Sequence, residues 1–343
     1  MPRLLLILGL LGLSSPTLAA DEPHPLISGG YQEAVFNVSD IESQIQFYET
    51  VAGWELIYRG DVDRSLSNAY GLPDNVVATE AVLANPGTER GFIRLVEYDG
   101  MEQVQMRSSA QSWDPGGWFD VNTRVADMDA KFREFQAHDW QAVSDPIEFS
   151  FGPFVVEEWL ARGPDGIVVA MIERKQPPLE GWPHLKELSR LFNATQIVSD
   201  FASAREFYTE KLGFEIYLEH SAPSPEPGPN VLGLPSNLAA EVARHVVILH
   251  PTGINEGSVE LLAFEGLTGT DFATRSEPGN LGIFTLRFPV EDMEAFHAHV
   301  QNQQIDIALS PTNASLLPYG DGRLMAIRGP GNVWIEFYEL AAD

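Results

Sequence analysis

The chain has 343 residues, a formal net charge of −28 at pH 7 and no cysteine. That acidity opposes binding to nucleic acid or anionic membranes and reads first as a solubility adaptation of an exported protein. The missing thiols exclude disulfides, lipid anchors on Cys, and Cys-ligated zinc or iron–sulfur sites.

Residues 1–20 hold one cation, Arg3, an apolar run from Leu4 to Leu13, and the small-residue end Thr17-Leu18-Ala19-Ala20. This is the pattern of a secretory signal peptide. The run is shorter than the ~20 apolar residues of a membrane span, so the expectation is a soluble periplasmic or secreted protein with no membrane contact after cleavage. About 320 residues remain, enough for two domains that each bury a core.

Residues 31–38 read as a strand after Gly29-Gly30, and Ser39-Asp40-Ile41-Glu42 opens a helix that carries Ile41, Ile45, Tyr48 and Val51 at helical spacing. Strands follow near 54–58, 76–83 and 91–98, which makes a β-α-β-β-β unit. A second unit begins with a strand at 119–125 and a helix near Met128, and it closes with a strand at 166–172. The Pro-rich stretch 176–187 reads as a linker. Beyond it come a strand at 191–198, a helix at 201–212, a strand at 282–288, a helix at 293–301 and a last strand at 333–338.

The two halves repeat one another. Val38-Ser39-Asp40 and Val198-Ser199-Asp200 lie 198 − 38 = 160 residues apart, each followed by a Phe-Tyr pair, Phe47-Tyr48 and Phe207-Tyr208. Gly71-Leu72-Pro73 answers to Gly233-Leu234-Pro235, and Arg162-Gly163-Pro164 to Arg328-Gly329-Pro330. A repeat this long is a whole domain. The expected fold is α+β: four β-α-β-β-β modules paired into two tandem domains, 29–175 and 188–341. Each domain should curl around a cleft that takes a small-molecule ligand.

The Val-Ser-Asp, Phe-Tyr and Leu212-Gly213-Phe214 motifs, with the closing Gly329 to Phe337, resemble the vicinal oxygen chelate superfamily of glyoxalases, bleomycin-resistance proteins and extradiol dioxygenases. The resemblance covers nearly all of the chain after the leader. It implies a divalent metal in each functional cleft, held by His, Gln or Glu on the first strand of each unit and Glu on the last. Carried over by position, the first-domain ligand sites are Glu33 and Asp120 with Arg94 and Ala170. Those of the second domain are Asn193 and Thr285 with Glu260 and Glu336.

No histidine falls at any of these positions. In the first cleft Arg94 is expected to stand between Glu33 and Asp120 and neutralise them by charge-assisted hydrogen bonds. In the second, Glu260 and Glu336 are the candidate catalytic pair and tentative metal ligands, with Asn193, Thr285, Arg287 and Tyr338 beside them. Such an all-oxygen set suits a weakly held Mn or Mg, with no cofactor required. Without a cation, close carboxylates would raise one another's pKa and could serve proton transfer; alternatively Arg287 pairs with one of them and the cleft only binds. The resulting reading is an exported small-molecule-binding protein without the usual His-based metal site. The alternative is a metal-dependent lyase, isomerase or dioxygenase acting through the second-domain cleft.

Overall fold

A computed structural model describes residues 26–108, 110–267 and 269–342; the leader pattern at 1–20 lies outside them. The first module comprises β1 (Glu33–Val38), α1 (Ile41–Thr50), β2 (Glu55–Asp61), the short α2 (Arg64–Ala69), β3 (Val77–Ala84) and β4 (Phe92–Asp99). The second comprises β5 (Trp118–Val125), α3 (Met128–Ala137), β6 (Ile147–Phe151), β7 (Phe154–Arg162) and β8 (Val168–Gln176). The third has β9 (Leu188–Ile197), α4 (Phe201–Glu206), β10 (Glu215–Ala222), the short α5 (Ser236–Ala239), β11 (Arg244–His250) and β12 (Ser258–Phe264). The fourth has β13 (Gly282–Pro289), α6 (Met293–Asn302), β14 (Ile307–Ser315), β15 (Asp321–Arg328) and β16 (Trp334–Leu340).

Each module helix starts in the same way. After the first strand an extended Asp (Asp40, Asp127, Asp200 or Asp292) accepts a hydrogen bond from the backbone N–H three residues on, at 2.9–3.0 Å. This satisfies one of the donors that a helix N-terminus leaves free. The cap of α1 is therefore Asp40 and not Ser39. Ser39 instead donates its backbone N–H and hydroxyl to Asp165 of the second module, at 2.9 and 2.8 Å.

Among the described residues sixteen strands form two sheets of eight. One runs β14-β15-β16-β13-β1-β4-β3-β2 and the other β10-β11-β12-β9-β5-β8-β7-β6. The first module thus joins the fourth through antiparallel β1 and β13, and the second joins the third through antiparallel β5 and β9. Sheet pairing does not follow the halves of the sequence repeat. The crossings between sheets, 100–117 and 265–281, brace one another: Met106 N–H donates to Leu281 O at 2.8 Å and Leu281 N–H to Val104 O at 2.9 Å.

Alternation assigns the faces of each strand. Past an irregularity between Trp118 and Asp120, odd positions of β5 such as Val121 and Val125 turn toward the helices, where they join Phe47, Phe135, Tyr208 and Phe296 in one core shared by both sheets. The opposite faces are concave and carry separate apolar clusters. That of the β1 sheet includes Leu66, Tyr98, Phe284, Leu316 and Trp334, with α2 and the 316–319 turn packed into it. That of the β5 sheet includes Phe119, Leu160, Ala170, Ile197 and Leu262, under loop residues Val231 and Leu234.

Candidate functional site: two concave faces with opposite electrostatics

In the concavity of the β1 sheet every charge has a partner. Arg94 on β4 donates from Nε to Glu33 Oε1 and from Nη1 to Glu80 Oε2, both at 2.7 Å, and from Nη2 to the Leu317 carbonyl at 2.8 Å. Arg287 on β13 donates from Nη1 to the same Glu33 oxygen at 2.9 Å and from Nε to Glu336 at 2.6 Å. The Tyr319 hydroxyl completes Glu33 at 2.6 Å, and the Tyr70 hydroxyl reaches Glu336 at 2.5 Å. Burial alone would raise the pKa of Glu33, but the two guanidiniums hold it below the ordinary carboxylate range. Burial and the neighbouring Glu336 keep Tyr70 well above the usual phenol range, so it stays a donor. Three carboxylates, two guanidiniums and two phenols thus close this face with its hydrogen-bonding capacity spent inside the protein.

The concavity of the β5 sheet is built differently. Asp120 and Asn122 on β5, Asn193 and Thr195 on β9 and Ser258 on β12 form a polar row. Asn122 Nδ2 donates to Asp120 at 3.1 Å, to Asn193 at 2.9 Å and more weakly to Thr195 at 3.3 Å. Asn193 Nδ2 in turn donates to Ser258 at 2.8 Å. Glu260 on β12 and Glu158 on β7 flank this row, and neither has a hydrogen bond or ion pair among the described residues. Four strand spacings separate them, roughly 19 Å in a flat sheet. Glu260 nevertheless feels the charges of Asp120 and Glu158, and Glu158 that of Asp120, as expected of a sheet curled about this row.

Burial is the main reason these acids hold protons unusually tightly. Asp120 is pushed up to about 7 by burial, against the pull of Thr195 and Arg107. Glu158 is raised to about 8 by burial and by Asp120, against the pull of Arg124, and Glu260 to about 8 by burial and by Asp120 and Glu158. Asp120 is 2% exposed, whereas Glu158 and Glu260 are surrounded by protein yet keep contact with solvent, as groups lining a cleft do. Past Phe119, Leu160 and Val168 the face continues into a cavity of about 480 Å³, whose lining also includes Ser112, Arg162 and Val231.

The structure regroups the residues read from the sequence. Glu33 and Arg94 meet as expected, but Asp120 is not their partner: β5 belongs to the other sheet, and Glu80 takes its place. Glu260 and Glu336 do not form a pair, because β12 and β16 lie in different sheets. Glu336 is fully buried against Arg287 and Tyr70, as the binding-only alternative for that pair supposes, while Glu260 faces Asp120 and Glu158. Thr285 turns its hydroxyl to the Leu286 and Trp334 carbonyls at 3.3 and 3.2 Å, and Tyr338 stacks on Tyr319. Asn193 sits beside Asp120 and Glu260 with both ends of its amide engaged. Sequence reasoning does not single out Glu80 and Glu158. Each is an acid inside a largely apolar strand, Val77–Leu83 and Phe154–Leu160, which is a signal of pairing or function.

Residues 190–337 match the family model described as the Glyoxalase/Bleomycin resistance protein/Dioxygenase superfamily. The match falls on the third and fourth modules, the second half of the chain. Among solved structures, glyoxalase I from Zea mays is 15% identical with a TM-score of 0.58, over 92% of this chain and 94% of that one. A point mutant of the same maize enzyme gives 16% and 0.59 over the same shares. A putative dioxygenase from Bacillus subtilis gives 12% and 0.55 over 91% and 86%. At such identity these likenesses speak for the fold alone. No curated protein matches the sequence.

The superfamily's metal can be tested against the donors present. In the β1 sheet the ligand positions are Glu33, Arg94, Thr285 and Glu336, and two guanidiniums stand where a cation would. In the β5 sheet they are Asp120, Ala170, Asn193 and Glu260, with one apolar residue and one committed amide. Among the described residues no group of three or more His, Cys, Asp or Glu is placed to hold a metal ion. These donor sets do not fit the superfamily's metal.

Proposed function

We propose that this is an exported small-molecule-binding protein whose working cleft is the concave face of the β5 sheet and which binds without a metal. One contrast carries the reading. The β1 concavity spends its charges on itself, whereas the β5 concavity holds Glu158 and Glu260 without hydrogen-bonded protein partners and continues past Phe119 and Leu160 into a cavity of mixed polar and apolar lining. A protein keeps desolvated, unpaired polar groups at a cost, and a ligand that supplies the missing partners recovers it. Export rests on Arg3, the Leu4–Leu13 run and the Thr17–Ala20 end. Among the described residues no helix is long and apolar enough to cross a membrane.

The test is a thermal-shift screen of small organic molecules against the mature protein in EDTA. Hits should persist in EDTA and in Glu336→Ala, and disappear in Asp120→Asn and Glu260→Gln. Stoichiometric zinc or iron with EDTA-sensitive binding would restore the metal-dependent lyase, isomerase or dioxygenase alternative. The raised Asp120 favours a second reading, in which a carboxyl titrating at about 7 takes a proton next to a substrate carbonyl. Deuterium exchange into a bound ligand that stops in Asp120→Asn is the result this reading requires.

A further inference from the structure

At the other end of the same concavity, β5 turns a cation inward that lies within electrostatic reach of Glu158 but bonds to no carboxylate. Arg124 is 8% exposed. Its guanidinium makes no hydrogen bond or ion pair with the described residues, and Nε is buried without a partner. It lies over the Phe192 ring at 4.2 Å and near Trp182 of the 177–187 segment at 5.7 Å, and those two rings meet edge to face. Arg174 on β8 is close enough to repel it, and Arg174 Nε is likewise buried and unpaired, over Phe154 at 3.9 Å. Tyr217, 45% exposed on the far edge strand β10, faces both.

Two mutually repelling guanidiniums framed by Phe192, Trp182, Phe154 and Tyr217 are unlike the other arginines of this fold. Arg94, Arg287, Arg323 and Arg328 are paired with carboxylates, and Arg107 and Arg162 with carbonyls. We propose that Arg124, assisted by Arg174, is the anchor for a carboxylate-bearing small molecule whose flat apolar body lies against Phe192 and Trp182. The inference rests on the β5 concavity being the working cleft and adds the charge class of its ligand. A planar carboxylate matches the guanidinium fork. Glu158, raised to about 8 and therefore largely protonated at neutral pH, can stand near the anchored anion as a donor.

The probes are benzoate, benzamide and benzylamine, titrated calorimetrically into the mature protein. Benzoate should bind about tenfold or more tighter than benzamide, as one charge-assisted hydrogen bond implies. Arg124→Met should erase that preference and Arg124→Lys should keep part of it. Since Met removes an unpartnered buried cation, the ligand-free Arg124→Met protein should also melt higher than wild type. Equal affinity for benzoate and benzamide, a preference for benzylamine, or a lower melting point with the preference intact would each overturn the anion subsite. If benzamide binds as well as benzoate and its binding is lost in Asp120→Asn, the cleft stands and only the subsite falls. If no probe binds, both fall.

Discussion

At the scale of single residues, the two concavities differ in whether a charge has a protein partner. Arg94 is the clearest case of one that does. It is 1% exposed and joins Glu33, Glu80 and the Leu317 carbonyl. Arg94→Leu removes the cation and leaves Glu80 unpaired, and breaking a buried pair from one side costs about 3–5 kcal/mol. Denaturant unfolding at pH 7 should show a loss of that size. The deficit should narrow as pH falls and Glu80 and Glu33 protonate, whereas a loss that did not change with pH would point to packing alone.

The acids of the β5 concavity give the opposite dependence. A carboxyl whose folded pKa lies above its unfolded value contributes stability below the unfolded pKa and loses it as pH rises through the folded one. With Glu158 and Glu260 near 8 and Asp120 near 7, the melting temperature should fall from about pH 5 to about pH 9. Glu158→Gln and Glu260→Gln should each flatten that fall. A wild-type curve already flat over this window would mean that these groups are solvated.

At the scale of elements, much is legible in the sequence because local rules decide it. Alternation and helical spacing indicate the strands at 31–38, 91–98, 119–125 and 282–288 and the four module helices, and these lie within a few residues of the observed spans, with α4 ending at Glu206 and continuing as a π-helical turn over Phe207–Lys211. The cap of α1 is one instance where the rule favours the wrong neighbour. Ser39 and Asp40 both suit an N-cap, and Ser39 is drawn away by Asp165, a contact across 126 residues that no local pattern shows. Strands β6, β7, β14 and β15 do not stand out individually in the sequence, and two groups of the concave faces, Glu158 and Tyr319, lie on β7 and just after β14. Asp127→Ala, which deletes the bond to Ala130 N–H, should cost about 1 kcal/mol. Asp127→Ser should restore most of it; if Ser rescues nothing, Asp127 acts through its charge and not as a cap.

At the scale of the whole molecule, the sequence shows four modules but not which ones share a sheet. The alternation of β5 is the same whether its neighbour is β1 or β9, so adjacency in the repeat is the only guide to pairing that the sequence offers. The structure pairs first with fourth and second with third, and this separates Asp120 from Arg94 and Glu260 from Glu336. The pairing bears directly on dissection of the chain. Residues 188–343 alone strip β5 from β9 and β1 from β13, exposing two central edges that invite association. That fragment should be molten or self-associated by light scattering, and co-expression with 26–187 should restore a single folded species. A monomeric fragment with a cooperative melt would show that the third and fourth modules can pair with each other.

The β5 concavity holds proton-retaining acids without ion-pair partners, while the β1 concavity is closed by ion pairs. Carbon-13 NMR of side-chain carboxyls in Asp- and Glu-labelled mature protein tests this contrast most directly. Two glutamate resonances should have midpoints at about 8 and one aspartate at about 7, assigned by their loss in Glu158→Gln, Glu260→Gln and Asp120→Asn. Added benzoate should shift these resonances and leave that of Glu33 in place. Ordinary midpoints for all three acids, or a benzoate response at Glu33 and not in the β5 sheet, would contradict it.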